Sequence, residues 1–113
     1  MAEQSFKTVS KEEVLESINS GDAIIVNTLS ASEYRIDHIK GSISMPLSSL
    51  MDGGFRELDR NRKIITYCAS FSCNASRKAA TFLAEKGFNA YAYEGGMKEW
   101  TESGLPLEEG DSP

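Results

Sequence analysis

The sequence predicts an α/β domain built around a largely parallel sheet. Three observations predict it. Short runs at Ala23–Val26, Lys63–Tyr67 and Ala90–Tyr93 have the length and composition of strands covered on both faces. Segments with helical spacing and helix-capping signals alternate with them. The 113 residues, 40% hydrophobic and 26% charged, suffice for one globular domain that needs no covalent staples.

Each element has a local cause. Ser10-Lys11-Glu12-Glu13 reads as a capping box, in which Ser10 accepts from an N-terminal amide and Glu13 reaches back. Val14, Leu15 and Ile18 follow at helical spacing, and Gly21 supplies a stop. The strand Ala23–Val26 comes next. Ser30 and Glu33 repeat the capping signal for a brief helix near Tyr34. Ile43–Met45 is a short strand closed by Pro46. Leu47–Met51 is helical and is broken by Asp52-Gly53-Gly54, with Leu58 in a further turn of helix. The strand Lys63–Tyr67 runs directly into Cys68. A helix from about Ser76 to Lys86 presents Ala79, Ala80, Phe82 and Leu83 on one face, and Gly87 supplies a left-handed cap. The strand Ala90–Tyr93 leads through Glu94-Gly95-Gly96 into a short helix ending near Trp100, which reads as core packing. The domain is expected to span residues 6–106, with flexible termini at 1–5 and 107–113.

Charge and composition exclude several functions. Twelve basic and seventeen acidic residues give a net charge of −5, the wrong sign for a general nucleic-acid binder. No window approaches the ~18 apolar residues of a membrane span. The first four residues lack the basic and apolar regions of a signal peptide, so a cytoplasmic protein is expected. Two cysteines build neither a disulfide scaffold nor a four-cysteine zinc site, and no metal or other cofactor is expected.

Chemistry is expected after Tyr67, because sites in open parallel sheets gather beyond the carboxyl ends of strands. Cys68 ends a buried strand, and Ala69, Ser70, Phe71, Ser72, Cys73 and Asn74 form the loop before the next helix. Amides of such a loop, with a helix N-terminus, favour thiolate over thiol at Cys68 and hold an anionic group against its sulfur. The bland alternative is a small buried cysteine at a strand end. Cys73 reads either as a loop residue packed inward or as a resolving thiol within disulfide reach, a Cα separation of about 4.4–6.8 Å. His38 has no adjacent partner and reads as structural, making a hydrogen bond before a turn. Gly95-Gly96 is either tight backbone beside the loop or a plain turn. Glu12, Glu13, Glu108 and Glu109 read as solvated charge.

Four segments together resemble the single-domain rhodaneses, the thiosulfate sulfurtransferase-like family, over about Phe6 to Pro106. They are Glu33-Tyr34 followed by His38-Ile39-Lys40-Gly41-Ser42-Ile43, Pro46 after it, Tyr67-Cys68 at a strand end, and Tyr93-Glu94-Gly95-Gly96-Met97-Lys98-Glu99-Trp100 with Gly104-Leu105-Pro106 beyond. The resemblance implies a five-stranded, mainly parallel sheet flanked by helices on both faces. It also implies sulfane-sulfur transfer in which Cys68 becomes a persulfide cradled by residues 69–74. The donor would be a small anion such as thiosulfate, or a protein persulfide; the acceptor would be a thiol or cyanide. No nucleic acid or membrane partner is implied, and a monomer is expected.

Two departures stand out. Asn27-Thr28-Leu29 occupies the place of the family's common Asp-x-Arg, which removes that ion pair from beneath the site. The loop is also longer, with Ser76 eight residues after Cys68. Phosphatases of this fold have a long loop, but they need an arginine where Asn74 stands; Arg77 lies further on, on the helix, as an accessory that draws anions or as a solvated residue. Three readings follow: a sulfurtransferase, a phosphatase or arsenate reductase of the same fold, and a non-catalytic or redox-sensing module using a Cys68/Cys73 pair.

Overall fold

A computed structural model describes residues 6–111. Five strands form one parallel sheet in the order β1-β6-β5-β2-β4: β1 Lys7–Thr8, β2 Ala23–Asn27, β4 Ile43–Ser44, β5 Lys63–Tyr67 and β6 Asn89–Tyr93. A separate antiparallel pair joins β3 His38–Ile39 to β7 Leu107–Glu108. Helices α1 Lys11–Ser20, α2 Ala31–Ile36, α3 Leu47–Met51, α4 Ala75–Glu85 and α5 Gly96–Glu102 connect the strands, with one 3₁₀ turn at Gly54–Glu57.

The local signals act as their chemistry requires. Both capping boxes form: Ser10 Oγ accepts from the Glu13 amide at 3.1 Å while Glu13 Oε1 accepts from the Ser10 amide at 2.8 Å. Ser30 and Glu33 repeat the exchange at the start of α2. Gly21 adopts φ +74° just past α1, a conformation that costs glycine little. Helix α4 begins one residue before Ser76, at Ala75, with Asn74 in the cap position.

Alternation along β5 divides the core in two. Ile64 faces Phe55, Ala79, Ala80 and Leu83, on the side covered by α3 and α4. Ile65 and Tyr67 face Val14, Tyr93 and Trp100, on the side covered by α1 and α5. Because successive strand residues point to opposite faces, five residues of β5 serve both layers.

The tail differs from expectation. Residues 107–113 read as a flexible terminus, yet Leu107–Glu108 pairs with β3, the Gly110 amide donates to the Arg35 carbonyl at 2.9 Å, and Arg35 meets Asp111. Two paired residues carry no periodicity of their own; the partner strand supplies the backbone bonds that order them. Residues 1–5 and 112–113, also expected to be flexible, lie outside the described residues. Strand β1 was not anticipated either, for the same reason: it is two residues long and exists by pairing with Tyr91 and Ala92 of β6.

Candidate active site

The sheet order places a reversal between β2 and β5. The chain leaves β2 toward β4 and leaves β5 toward β6, so a crevice opens between the carboxyl ends of β2 and β5. Cys68 is the first residue beyond β5 and Thr28 the first beyond β2. They are tied through Tyr67, whose carbonyl accepts from the Thr28 amide at 3.0 Å and from its hydroxyl at 2.9 Å.

Asn27 stands where an aspartate was missed, and it takes over the support. It is fully buried, donates from Nδ2 to the Tyr67 hydroxyl at 3.0 Å, and accepts from the Leu29 amide at 2.8 Å. The Ile39 amide donates to the same hydroxyl, also at 3.0 Å. With both acceptor positions filled, the Tyr67 proton points to Ser42 Oγ at 2.8 Å, which in turn donates to the Ile39 carbonyl at 2.7 Å. A neutral hub thus replaces an ion pair beneath the loop. Burial, opposed by these three bonds, pushes the Tyr67 phenol up to about 12.

His38 is structural. It is buried, stacks on Tyr34 at 3.7 Å, and places Nδ1 2.8 Å from the Tyr34 carbonyl. A carbonyl only accepts, so Nδ1 carries the proton and Nε2 faces Glu108 at 3.9 Å. None of these groups belongs to the cysteine loop.

The base of the loop is clamped by α5. The Met97 amide donates to the Cys68 carbonyl at 2.9 Å and the Lys98 amide to the Ala69 carbonyl at 2.8 Å. Only glycine at position 96 permits this approach. Its φ is +63°, and a Cβ there would lie 2.5 Å from the Cys68 oxygen and 2.8 Å from the Ala69 carbonyl carbon. Gly96 is therefore tight backbone against the loop, and not merely part of a turn.

The tip is arranged differently. The Cys73 amide donates to the Ser70 carbonyl at 3.0 Å, which closes a turn over residues 70–73 and folds Cys73 back toward Cys68. The Cys68 thiol points at the Cys73 carbonyl at 3.5 Å. Ser70 and Ser72 hydroxyls meet at 2.9 Å, and Phe71 stands 61% exposed between two clefts of about 410 and 400 Å³. The first cleft runs toward Ser10, Lys11 and Glu94; the second toward Lys98 and Glu102. Asn74 is exposed and lines a third cleft with Met51 and Arg77. The Arg77 guanidinium turns to the Phe71 carbonyl at 3.4 Å and to Glu94 at 3.6 Å.

One expectation is overturned. The loop amides were expected to favour the thiolate at Cys68. Instead, burial pushes the Cys68 thiol up, and the neighbouring Cys73 sulfur adds to the rise. The amide and hydroxyl of Ser76 offset part of it. That hydroxyl is fully buried and has no hydrogen-bond partner among the described residues, so its proton is free for the Cys68 sulfur. Cys73 moves the other way. Partial burial works against ionisation there, but the Cys68 thiol, the amides of Ala69 and Ala75 and the charge of Arg77 outweigh it and lower the Cys73 thiol. The amides converge on the second cysteine because the 70–73 turn delivers it there. Sequence reasoning missed Ser76, Asn27 and Tyr67 as site-building residues, whereas tight backbone beside the loop was one of its two readings of the paired glycines.

Fold and site together define a class: parallel α/β domains with a buried cysteine at a strand–loop–helix junction beside a strand-order reversal. Within that class, the rhodanese-like domain family matches residues 10–103, and the chain belongs to that family. A thiosulfate sulfurtransferase GlpE of Haemophilus influenzae is 31% identical over 106 residues, covering 92% of this chain and 96% of the relative. The HTH-type transcriptional regulator Rv0324 of Mycobacterium tuberculosis is 30% identical over 102 residues; 90% of this chain matches, but that spans only 45% of the regulator. Among solved structures, the BH2092 protein of Bacillus halodurans superposes with a TM-score of 0.85 at 27% identity, covering 94% of this chain and 79% of its own. A rhodanese-related protein of Thermoplasma volcanium gives 0.81 at 27% identity, covering 91% and 98%.

Proposed function

We propose that the protein is a sulfurtransferase that carries sulfane sulfur on Cys68. The observation that carries this reading is the placement of the Cys68 sulfur at the carboxyl end of β5, faced by the Ser76 amide and by a Ser76 hydroxyl without another partner. A thiolate at Cys68 attacks the outer sulfur of thiosulfate, the S–S bond of the donor breaks, and sulfite leaves with the electron pair. A persulfide of a carrier thiol serves equally, leaving as the free thiolate. An acceptor thiolate or cyanide then attacks the outer sulfur, and Cys68 departs as thiolate. This is covalent catalysis in two displacements.

Donor and acceptor enter beside Phe71, where the two clefts reach the loop tip. The GlpE relatives, described as thiosulfate sulfurtransferases, support the choice of donor. A phosphatase reading draws no comparable support, because Asn74 offers no guanidinium and Arg77 is engaged by Phe71 and Glu94.

The test is thiosulfate:cyanide transfer, read as thiocyanate formed. Wild type is expected to turn over and Cys68→Ser to be inactive; turnover by Cys68→Ser would sink the mechanism. Hydrolysis of an aryl phosphate by wild type, without sulfur transfer, would replace it with the phosphatase reading.

A further inference from the structure

Two cysteines meet in one loop, and sulfur transfer through Cys68 uses only one of them as the carrier. We propose that Cys73 is an internal resolving thiol, which displaces sulfide from the Cys68 persulfide and closes a Cys68–Cys73 disulfide. The inference rests on the sulfurtransferase reading and deepens it by naming where the sulfur goes when no external acceptor intervenes.

The geometry is that of a built thiol pair. The 70–73 turn, closed by the Cys73 amide on the Ser70 carbonyl at 3.0 Å, brings residue 73 back over residue 68. The Cys68 thiol is directed at residue 73, 3.5 Å from its carbonyl oxygen. Neighbouring backbone amides and the charge of Arg77 pull the Cys73 thiol down, an environment that supports an attacking thiolate. On the other side, the buried Ser76 hydroxyl, which makes no hydrogen bond among the described residues, lies beside the Cys68 sulfur, the atom under attack. Cys68 is 1% exposed, so an external thiol must cross the loop to reach its inner sulfur, whereas Cys73 already sits beside it. The backbone of residue 68 is clamped by Met97, while the tip bearing Cys73 is held by its own turn, by the Ser70–Ser72 hydroxyl contact, by Arg77 and by the Cys68 thiol on the Cys73 carbonyl. It can therefore make the small approach a disulfide requires.

The step balances without an added oxidant. The persulfide Cys68–S–SH already holds sulfur at the oxidation level of a disulfide. The Cys73 thiolate attacks the Cys68 sulfur; a bond forms between the two cysteine sulfurs, the bond to the outer sulfur breaks, and hydrosulfide leaves with the electron pair and its proton. Two equivalents of a low-molecular-weight thiol, or one dithiol, then reduce the disulfide and restore both thiols.

The test uses the full chain, reduced, under argon, treated with sodium thiosulfate and in parallel with glutathione persulfide. Intact mass and released sulfide are measured after the donor is removed. Wild type is expected to lose two hydrogens and to release sulfide stoichiometric with chain. The Cys73→Ser and Cys73→Ala variants are expected to gain one sulfur atom and release none. A non-reducing digest should join the peptides of Cys68 and Cys73. Wild type that retains the added sulfur as stably as the Cys73 variants, without sulfide release, overturns the proposal and leaves the Cys68 persulfide standing. Cys73 variants that take up no sulfur from either donor, although folded by circular dichroism, overturn the sulfurtransferase reading and the proposal with it.

Discussion

The base and the tip of the cysteine loop are built on opposite principles. At the base, Cys68 and Ala69 have their carbonyls bonded to the first amides of α5, glycine 96 lets the two backbones touch, and a buried hub of Asn27, Tyr67 and Ser42 lies beneath. At the tip, Ser70 to Cys73 is held by a single turn bond, by the contact of two serine hydroxyls, by Arg77 on the Phe71 carbonyl and by the Cys68 thiol on the Cys73 carbonyl; Phe71 projects into solvent. In the proposed reaction, the many backbone bonds at the base would position the sulfur carrier, and the fewer bonds at the tip would let the second thiol approach it.

Breaking the base should have the largest effect. Gly96→Ala is expected to destabilise the fold by about 3 kcal/mol or more, since a Cβ 2.5 Å from the Cys68 carbonyl oxygen forces backbone apart at a positive φ. Chemical denaturation measures it, and a cost below about 1 kcal/mol would mean that the clamp is slack. Tyr67→Phe comes next. It strands the Asn27 amide and the Ile39 amide without an acceptor, at a cost of about 2 kcal/mol.

The same substitution alters the alkaline limb of the stability curve. The Tyr67 phenol is raised to about 12 in the folded protein from 10.0. Its contribution is complete below the unfolded value and is lost as pH rises from there through the folded one. Wild type should therefore lose stability between about pH 10 and 12 more steeply than Tyr67→Phe. Equal slopes would show that the phenol ionises as freely in the fold as out of it.

Smaller effects are expected at the tip. Iodoacetamide near neutral pH should label Cys73 before Cys68, because Cys73 is the more exposed thiol and the one whose ionisation is favoured. Peptide mapping reads the order, and preferential labelling of Cys68 would reverse the assignment of the thiolate. The stability contributions have opposite signs. The lowered Cys73 thiol stabilises the fold above its unfolded value and loses that contribution as pH falls through the folded one. The raised Cys68 thiol stabilises below its unfolded value and loses it as pH rises. Phe71→Ala should be the mildest change, within about 0.5 kcal/mol of wild type, because the ring is already largely in water. A larger cost would show the tip to be coupled to the core, and the contrast between tip and base would fail.

Much of this molecule is written in stretches of four or five residues. The two capping boxes and the strand Lys63–Tyr67 ending at Cys68 were legible because their causes lie within one helical turn or one strand. The motifs also identified the family. Other features depend on residues distant in the chain and left no local mark. Strands β1, β3 and β7 hold two residues each and exist through their partners. Asn27 looked like the loss of an ion pair until Tyr67, forty residues away, proved to be its partner. The opposite shifts of the two thiols, Cys68 up and Cys73 down, arise the same way. Ionisation follows the dielectric and the dipoles that surround a sulfur atom, and here those come from a turn, a helix start and a buried strand end that only the folded chain brings together.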